Sequence, residues 1–288
     1  MVAAAGVKLV QNVGERSNTT LDILSVVLLA AGITAFVYSV GEFSTNLIAG
    51  IVALFAAIVL LGLFAARQLK LEHPVLNVRP MASFRFWPAC LLVVVSMMTT
   101  FSMSVLLPLY FEGAYGMTAL VAGLLILPAI ACNAVTSIVG GRVMDARGAW
   151  PLLPVGFALI AVGQTAISMT AASMNIGVVV ALTVVVYAGV GLVLSPSQTA
   201  GLETLPAAEH PHGTALLNTW NMIAASFGPS LFIGLLSSSA ATAGAAGVAT
   251  DVAQTIGFAA AVRVAAVIAV VGFVASLVYA RRESHMSH

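Results

Sequence analysis

Residues 140–148 read Gly140-Gly141-Arg142-Val143-Met144-Asp145-Ala146-Arg147-Gly148. Nowhere else do three charges fall within six residues between two long apolar runs. The flanking stretches, 117–139 and 151–172, are each long enough to cross a bilayer, since about 20 apolar residues span ~30 Å of hydrocarbon. The charges are therefore expected in a tight, water-exposed turn joining two membrane helices.

Composition supports that reading for the whole chain. Of 288 residues, 60% are hydrophobic and 7% are charged, and the mean hydropathy is +1.07. A soluble domain carries about 25% charged residues, so these helices have too few charges to present a polar face to water. Their solvent is lipid, and the fold class that follows is an all-α, polytopic membrane protein. A net charge of +1 gives no field that would draw nucleic acid or an acidic partner. Cys90 and Cys132 both lie inside apolar runs, where a buried thiol is the simple reading and a disulfide or metal framework lacks ligands. Lys8 and Arg16 precede an apolar run that is long enough to span and has no clear small-residue cleavage site, unlike a secretory signal.

Eight spans are expected, at 23–41, 46–66, 88–110, 117–139, 151–172, 177–199, 214–236 and 258–280. Ser17, Asn18, Thr19 and Thr20 lead into Leu21-Asp22, an N-cap for the first. Connections are short except 67–87, 200–213 and 237–257; the last is rich in Ala, Gly, Ser and Thr and reads as a pliable external loop. With the N-terminus in the cytoplasm, ten of the eleven Lys and Arg fall in cytoplasmic segments: Lys8, Arg16, Arg67, Lys70, Arg79, Arg85, Arg142, Arg147, Arg281 and Arg282. The positive-inside rule selects that orientation, with both termini cytoplasmic in the cell membrane. Arg263 then lies about one turn inside the outer end of the last span, where it can snorkel.

Residues 69–85 (LKLEHPVLNVRPMASFR) divide the chain. The expected organisation is a cytoplasmic N-terminal segment (1–22), two linker transmembrane helices (23–66), a cytoplasmic linker (67–87), a six-helix unit (88–280) and a cytoplasmic tail (281–288). The six spans can divide into two three-helix repeats, as in transporter halves, although no sequence self-similarity marks them.

These residues also carry a resemblance. Gly141-x-x-x-Asp145-x-Arg147-Gly148, between the second and third helices of a six-helix unit, resembles the loop signature of the major facilitator superfamily. Leu107-Pro108-Leu109-Tyr110-Phe111, then Gly116-Met117-Thr118 and 122–128 (AGLLILP), look like the first hairpin of the C-terminal half of its fourteen-span drug:proton antiporters. Leu71-Glu72-His73-Pro74-Val75-Leu76 resembles the stretch before that half, and Leu21-Asp22 the start of the two extra helices between halves. The loop departs from the family pattern at Ala146, Ala149 and Trp150, where basic residues are usual, and so resembles the degenerate C-terminal copy. Nothing in these residues corresponds to the N-terminal six-span half. The resemblance therefore implies a truncated antiporter, an incomplete gene product or one part of a split carrier.

In the resembled family the 141–148 loop latches one conformation, which assigns Gly141, Arg142, Asp145, Arg147 and Gly148 to a conformational latch; the plain alternative is a charged turn obeying the positive-inside rule. Asp145, standing shortly before the next helix, is expected to satisfy free amides there. Asn133, Gln164, Gln198, Asn218 and Asn221 lie within spans and must face other helices or a cavity, as glue or as uncharged cavity lining. Tyr187 and Trp220 add aromatic surface suited to lipophilic cations, or else pack ordinarily. Gly228-Pro229 marks a helix hinge or a tolerated kink. Proton coupling usually needs an intramembrane carboxylate or histidine, yet Asp22, Glu42 and Glu112 fall at span ends; Glu112 is the local candidate for a proton or cation contact at the outer mouth. Glu209-His210-Pro211-His212 reads as a solvated loop rather than a metal site, as do His285 and His288 at the terminus.

No nucleophile–base pair, phosphate-binding glycine loop or zinc motif is found, so neither an enzyme nor a cofactor is expected. The resemblance implies efflux of amphipathic organic compounds by proton antiport, with lipid, substrate, protons and either a missing N-terminal half or a homo-oligomer as partners. A non-transporting membrane scaffold or remnant is the other reading.

Overall fold

The computed structural model describes residues 22–42, 46–71, 74, 76–83, 86–149, 151–173 and 175–284. Leu21, Glu72, His73, Val75, Arg85, Trp150, His285 and His288, which carry parts of the readings above, lie outside the described residues, as do Lys8, Arg16 and 17–20.

Eight helices long and apolar enough to cross a membrane occupy the described residues. They are α1 (Ile23–Glu42), α2 (Leu47–Lys70), α3 (Phe86–Tyr115), α4 (Ala119–Arg147), α5 (Leu152–Thr170), α6 (Ile176–Glu203), α7 (His210–Ala245) and α8 (Thr250–Ser284). This is the expected all-α polytopic architecture. In lipid, a backbone with no water to bond must satisfy itself locally, and helices do so whatever their side chains. Pro108, Pro128, Pro196 and Pro229 all sit inside helices, so the expected hinge at Gly228-Pro229 lies within one continuous helix.

Several boundaries move outward from the hydropathy reading. The stretch 237–257 is not a pliable loop: α7 runs to Ala245 and α8 starts at Thr250, leaving a turn in which Gly247 takes φ 81°. Alanine favours helix, and the small residues let the two helices close together. A Cβ on Gly257 would collide with the Leu236 carbonyl and Ala240. Likewise α4 continues through Arg147, so the charges of 142–147 are helical and the turn itself begins at Gly148. The helices at either end of the linker also extend, to Lys70 and from Phe86. At 1.5 Å per residue α7 is about 54 Å long and outreaches the ~30 Å hydrocarbon layer. Arg263 is exposed and lies nearly four turns into α8, not one turn from its start. It also stands eighteen residues before Arg281, about 27 Å along the axis.

The core of the six-helix unit is built around α3. It packs against α6, α7 and α8, while α5 packs on α6 and α8, and α4 on α6. Leu92, Met103, Leu106 and Leu107 of α3 are fully buried with Phe157, Phe232 and Phe258. The α5–α6 crossing needs glycine: a Cβ on Gly189 would stand 2.5 Å from the Gly156 carbonyl oxygen and 2.8 Å from Ile160. The α1–α2 hairpin reaches the unit through α1 against α7, where Phe36 stacks on Phe227 with centroids 5.7 Å apart. A second apolar cluster lies beneath it. Phe64, Leu76, Phe86, Val93, Leu205, Leu216 and Leu217 join the end of the hairpin, residues 76–83 and the adjacent ends of α3, α6 and α7.

Candidate functional site

Two of the expected cavity residues meet near the middle of the unit. Asn133 on α4 donates from Nδ2 to the Tyr187 carbonyl of α6 at 3.1 Å, and the Tyr187 hydroxyl lies 3.0 Å from Ser104 Oγ on α3. Ser104 Oγ itself donates to the Thr100 carbonyl at 2.9 Å. Its one proton is thereby used, so Tyr187 is the donor in their contact. Pro108, four residues after Ser104, has no N–H, and the Ser104 carbonyl lacks its usual helical donor. The result is an uncharged patch across α3, α4 and α6 whose remaining capacity is mainly as hydrogen-bond acceptor, at Ser104 and Asn133, with Tyr187 itself buried. Ser104 is exposed and Asn133 half-buried. An open carbonyl facing hydrocarbon is costly, so this surface suits a polar cavity or a partner unit. Sequence reading missed Ser104; a Pro four residues after a Ser in a span was the available signal.

The other amides divide. Gln164 is fully buried on α5, and neither its Oε1 nor its Nε2 has a partner; it belongs to the packed core, not to an open lining. Asn221 on α7 is half-buried with Oδ1 unpartnered. Asn218 is exposed and Gln198 half-buried. Trp220 is committed elsewhere, its indole N–H donating to Met81 Sδ at 3.4 Å.

At the latch segment, Arg142, Asp145, Arg147 and Gly148 are exposed and Gly141 is half-exposed. Asp145 does not cap the next helix: it stands near the end of α4, and α5 opens at Pro151 without a side-chain cap. Gly148, at φ 75°, turns the chain and donates its N–H to the Met144 carbonyl at 2.8 Å. Among the described residues, neither arginine pairs with Asp145, which leaves this charged face open to contacts from outside the chain.

At the opposite end Glu112 is exposed in the last turn of α3. Beside it the rings of Tyr110 and Phe258 stack at 4.0 Å, Tyr115 meets Tyr110 edge-on, and the Tyr110 hydroxyl donates to the Ala171 carbonyl at 3.1 Å. This aromatic knot ties together the ends of α3, α5 and α8. In the 209–212 stretch, the His210 ring bonds the Leu205 carbonyl at 3.1 Å.

A charged network that sequence reading did not foresee lies at the base of the hairpin. Asp22 does precede α1, accepting from Ser25 Oγ at 2.6 Å, but it also binds Arg67 of α2 through Nε at 2.7 Å and Nη2 at 3.1 Å. Hydrogen bonds from Arg67 and then Ser25 hold its carboxyl well below the usual carboxylate range. An acid at the start of one helix and a base at the end of the next, in an antiparallel hairpin, was the legible signal.

Residues 20–229 match the family model described as Major Facilitator Superfamily. The chain is 31% identical over 235 residues to the lincomycin resistance protein LmrB of Listeria monocytogenes, covering 81% of this chain and 50% of that protein. It is 32% identical over 271 residues to the uncharacterized MFS-type transporter YcnB of Bacillus subtilis, covering 93% and 57%. A multidrug resistance protein B homolog of Mycobacterium tuberculosis is 25% identical over 227 residues, covering 76% and 42%. The chain spans about half the length of the curated relatives it matches.

Proposed function

From the premise that this chain belongs to the major facilitator superfamily, we propose that it forms the two linker helices and the C-terminal six-helix half of a carrier that expels amphipathic organic compounds by proton antiport. The observation that carries the site is the uncharged acceptor patch of Ser104, Tyr187 and Asn133. It offers hydrogen bonds without a fixed charge, which suits substrates of varied shape carrying N–H or O–H donors beside apolar bulk. Asn218, Asn221 and Gln198 extend the lining, and the drug-resistance names of the relatives support the substrate class. The exposed 141–148 face acts as the latch against a second six-helix unit, supplied by the same polypeptide, a separate chain or a second copy. The carrier sits in the cell membrane with both ends of this chain cytoplasmic. Glu112 is the proton or cation contact of this half at the outer mouth, and the remaining coupling carboxylates come from the other unit.

The test is dye efflux and drug tolerance in a pump-deficient bacterium, with this chain alone and with a candidate N-terminal half. Efflux that needs both and collapses with a protonophore is the expected result. Efflux from the chain alone would make it a homo-oligomeric pump; stable insertion without efflux in either case would leave a membrane scaffold. In the active arrangement Asp145→Asn should lower transport while the amount of folded protein stays unchanged.

A further inference from the structure

Residues 76–83 have a place in the fold that the transport reading does not use. One end of the segment is tied to the hairpin: the Leu76 N–H donates to Gln68 Oε1 at 3.0 Å, and Gln68 Nε2 donates to Ser25 Oγ at 2.6 Å, so one buried amide of α2 holds both α1 and the segment. The Asp22–Arg67 pair closes the same junction one residue away. The other end is seated on the six-helix unit. Pro80 is buried, and Met81 Sδ accepts from the Trp220 indole N–H of α7 at 3.4 Å and from the Cys90 thiol of α3 at 3.8 Å. Val78 and Met81 pack with Leu216, Leu217 and Leu205. Higher on α7, Phe227 stacks on Phe36 of α1.

The hairpin therefore grips α7 at two heights, directly at Phe227 and through the segment at Trp220, seven residues or about two turns below. Asn221 and Asn218 lie within and just beyond that interval. We propose that residues 76–83 are a strap by which the α1–α2 hairpin positions α7, with Gln68 and Met81 as its positioning residues. A helix held at two points by the same rigid hairpin cannot tilt against α3 without breaking one contact, and the Trp220–Met81 bond is the weaker because thioether sulfur is a poor acceptor. Strap release is then the step that frees the cytoplasmic half of α7, and the orientation of Asn218 and Asn221 follows it. The consequence for transport rests on the function proposed above; the clamp itself does not.

Two native groups report on it in the full chain, in membranes and without substrate. Cys90 is buried beneath Met81, and Trp220 is the reporter on α7. In a Cys132→Ser background, Gln68→Leu and Met81→Ala should each raise maleimide labelling of Cys90 by about tenfold, because labelling follows the population of the open state. In a Trp87→Phe, Trp150→Phe background, Gln68→Leu, which lies on α2, should shift Trp220 emission to the red and at least about double its acrylamide quenching. Unchanged Cys90 labelling in both variants would overturn the strap. Raised labelling with unchanged Trp220 fluorescence would overturn the positioning of α7. Cys132 labelling in the parent cysteine background guards against general unfolding: it should stay constant, and a parallel rise at Cys132 would count against a local strap. A failure of efflux with these signals intact would strike the transport reading alone.

Discussion

Helices α3 and α4 are neighbours of almost equal length and nearly the same mean hydropathy, yet 67% of the most apolar window of α3 is buried inside the protein against 17% for α4. In water such a difference would be written in the sequence as a polar stripe. In a bilayer lipid is as apolar as a leucine core, so the hydrophobic effect does not sort buried from exposed faces. Packing and polar satisfaction do the sorting instead. α3 is surrounded by α6, α7 and α8, while α4 turns Asn133 and Thr136 toward α6 and leaves Leu120, Leu124, Val135 and Ile138 outside.

The largest effect is expected at a helix crossing. Gly189→Val would set a side chain into the Gly156 carbonyl and Ile160; a loss of about 3 kcal/mol or more is expected, seen as a collapse in the yield of folded protein from detergent. A yield near wild type would mean the α5–α6 contact is looser than described. Next, Leu106→Ala on α3 and Leu124→Ala on α4 remove the same atoms from sites 0% and 55% exposed. With lipid as the outside phase only the cavity and packing loss counts, so about 1–3 kcal/mol is expected for the first and under about 0.5 for the second. Thermal unfolding of the two in one detergent gives the difference directly, and equal losses would refute the exposed placement of Leu124 on α4.

A smaller effect with the opposite sign is expected at Gln164. Both ends of its amide are buried without partners, so Gln164→Leu should stabilise by about 1 kcal/mol. Destabilisation of similar size would instead reveal a bound water or ligand group on the amide. The smallest effect is a pH dependence at the hairpin. Asp22 has a lowered pKa in the folded state, so its contribution is fully present above the usual carboxylate range and is lost as pH falls through the depressed value. Protease accessibility of the linker should therefore rise only in strong acid, and Asp22→Asn should remove that step.

Much of the fold was legible, and less of the site. The spans among the described residues follow from the length of apolar runs, because a bilayer demands about 20 residues whatever the packing. Helix ends are less legible where the sequence is weakly apolar or charged. The stretch 237–257 looked like a loop because it is small and weakly apolar, yet Ala-rich helices persist in water when a partner packs closely, as α8 does at Gly257. Among the candidate residues, Asn133 stands out in the sequence because an amide at membrane depth needs a partner, and Tyr187 only for its aromatic surface, not for the hydroxyl that meets Ser104. Ser104 escaped notice because serine is unremarkable until Pro108 frees its carbonyl. Of the two readings open for Trp220, cavity lining or ordinary packing, the structure shows the indole packed on Met81, 139 residues away in sequence.

By itself the sequence determined that this chain suits lipid, carries eight helices long and apolar enough to cross it among the described residues, and belongs with the major facilitator superfamily. Those properties depend on composition, run length and local motifs, which no rearrangement of neighbours alters. Tertiary structure alone decided which apolar helix is core and which is surface, which amide is bonded and which is stranded, and that the hairpin grips α7 through residues 76–83. The reason is that in a bilayer all these helices satisfy the same solvent, so the choice among their faces is made only by which side chains meet.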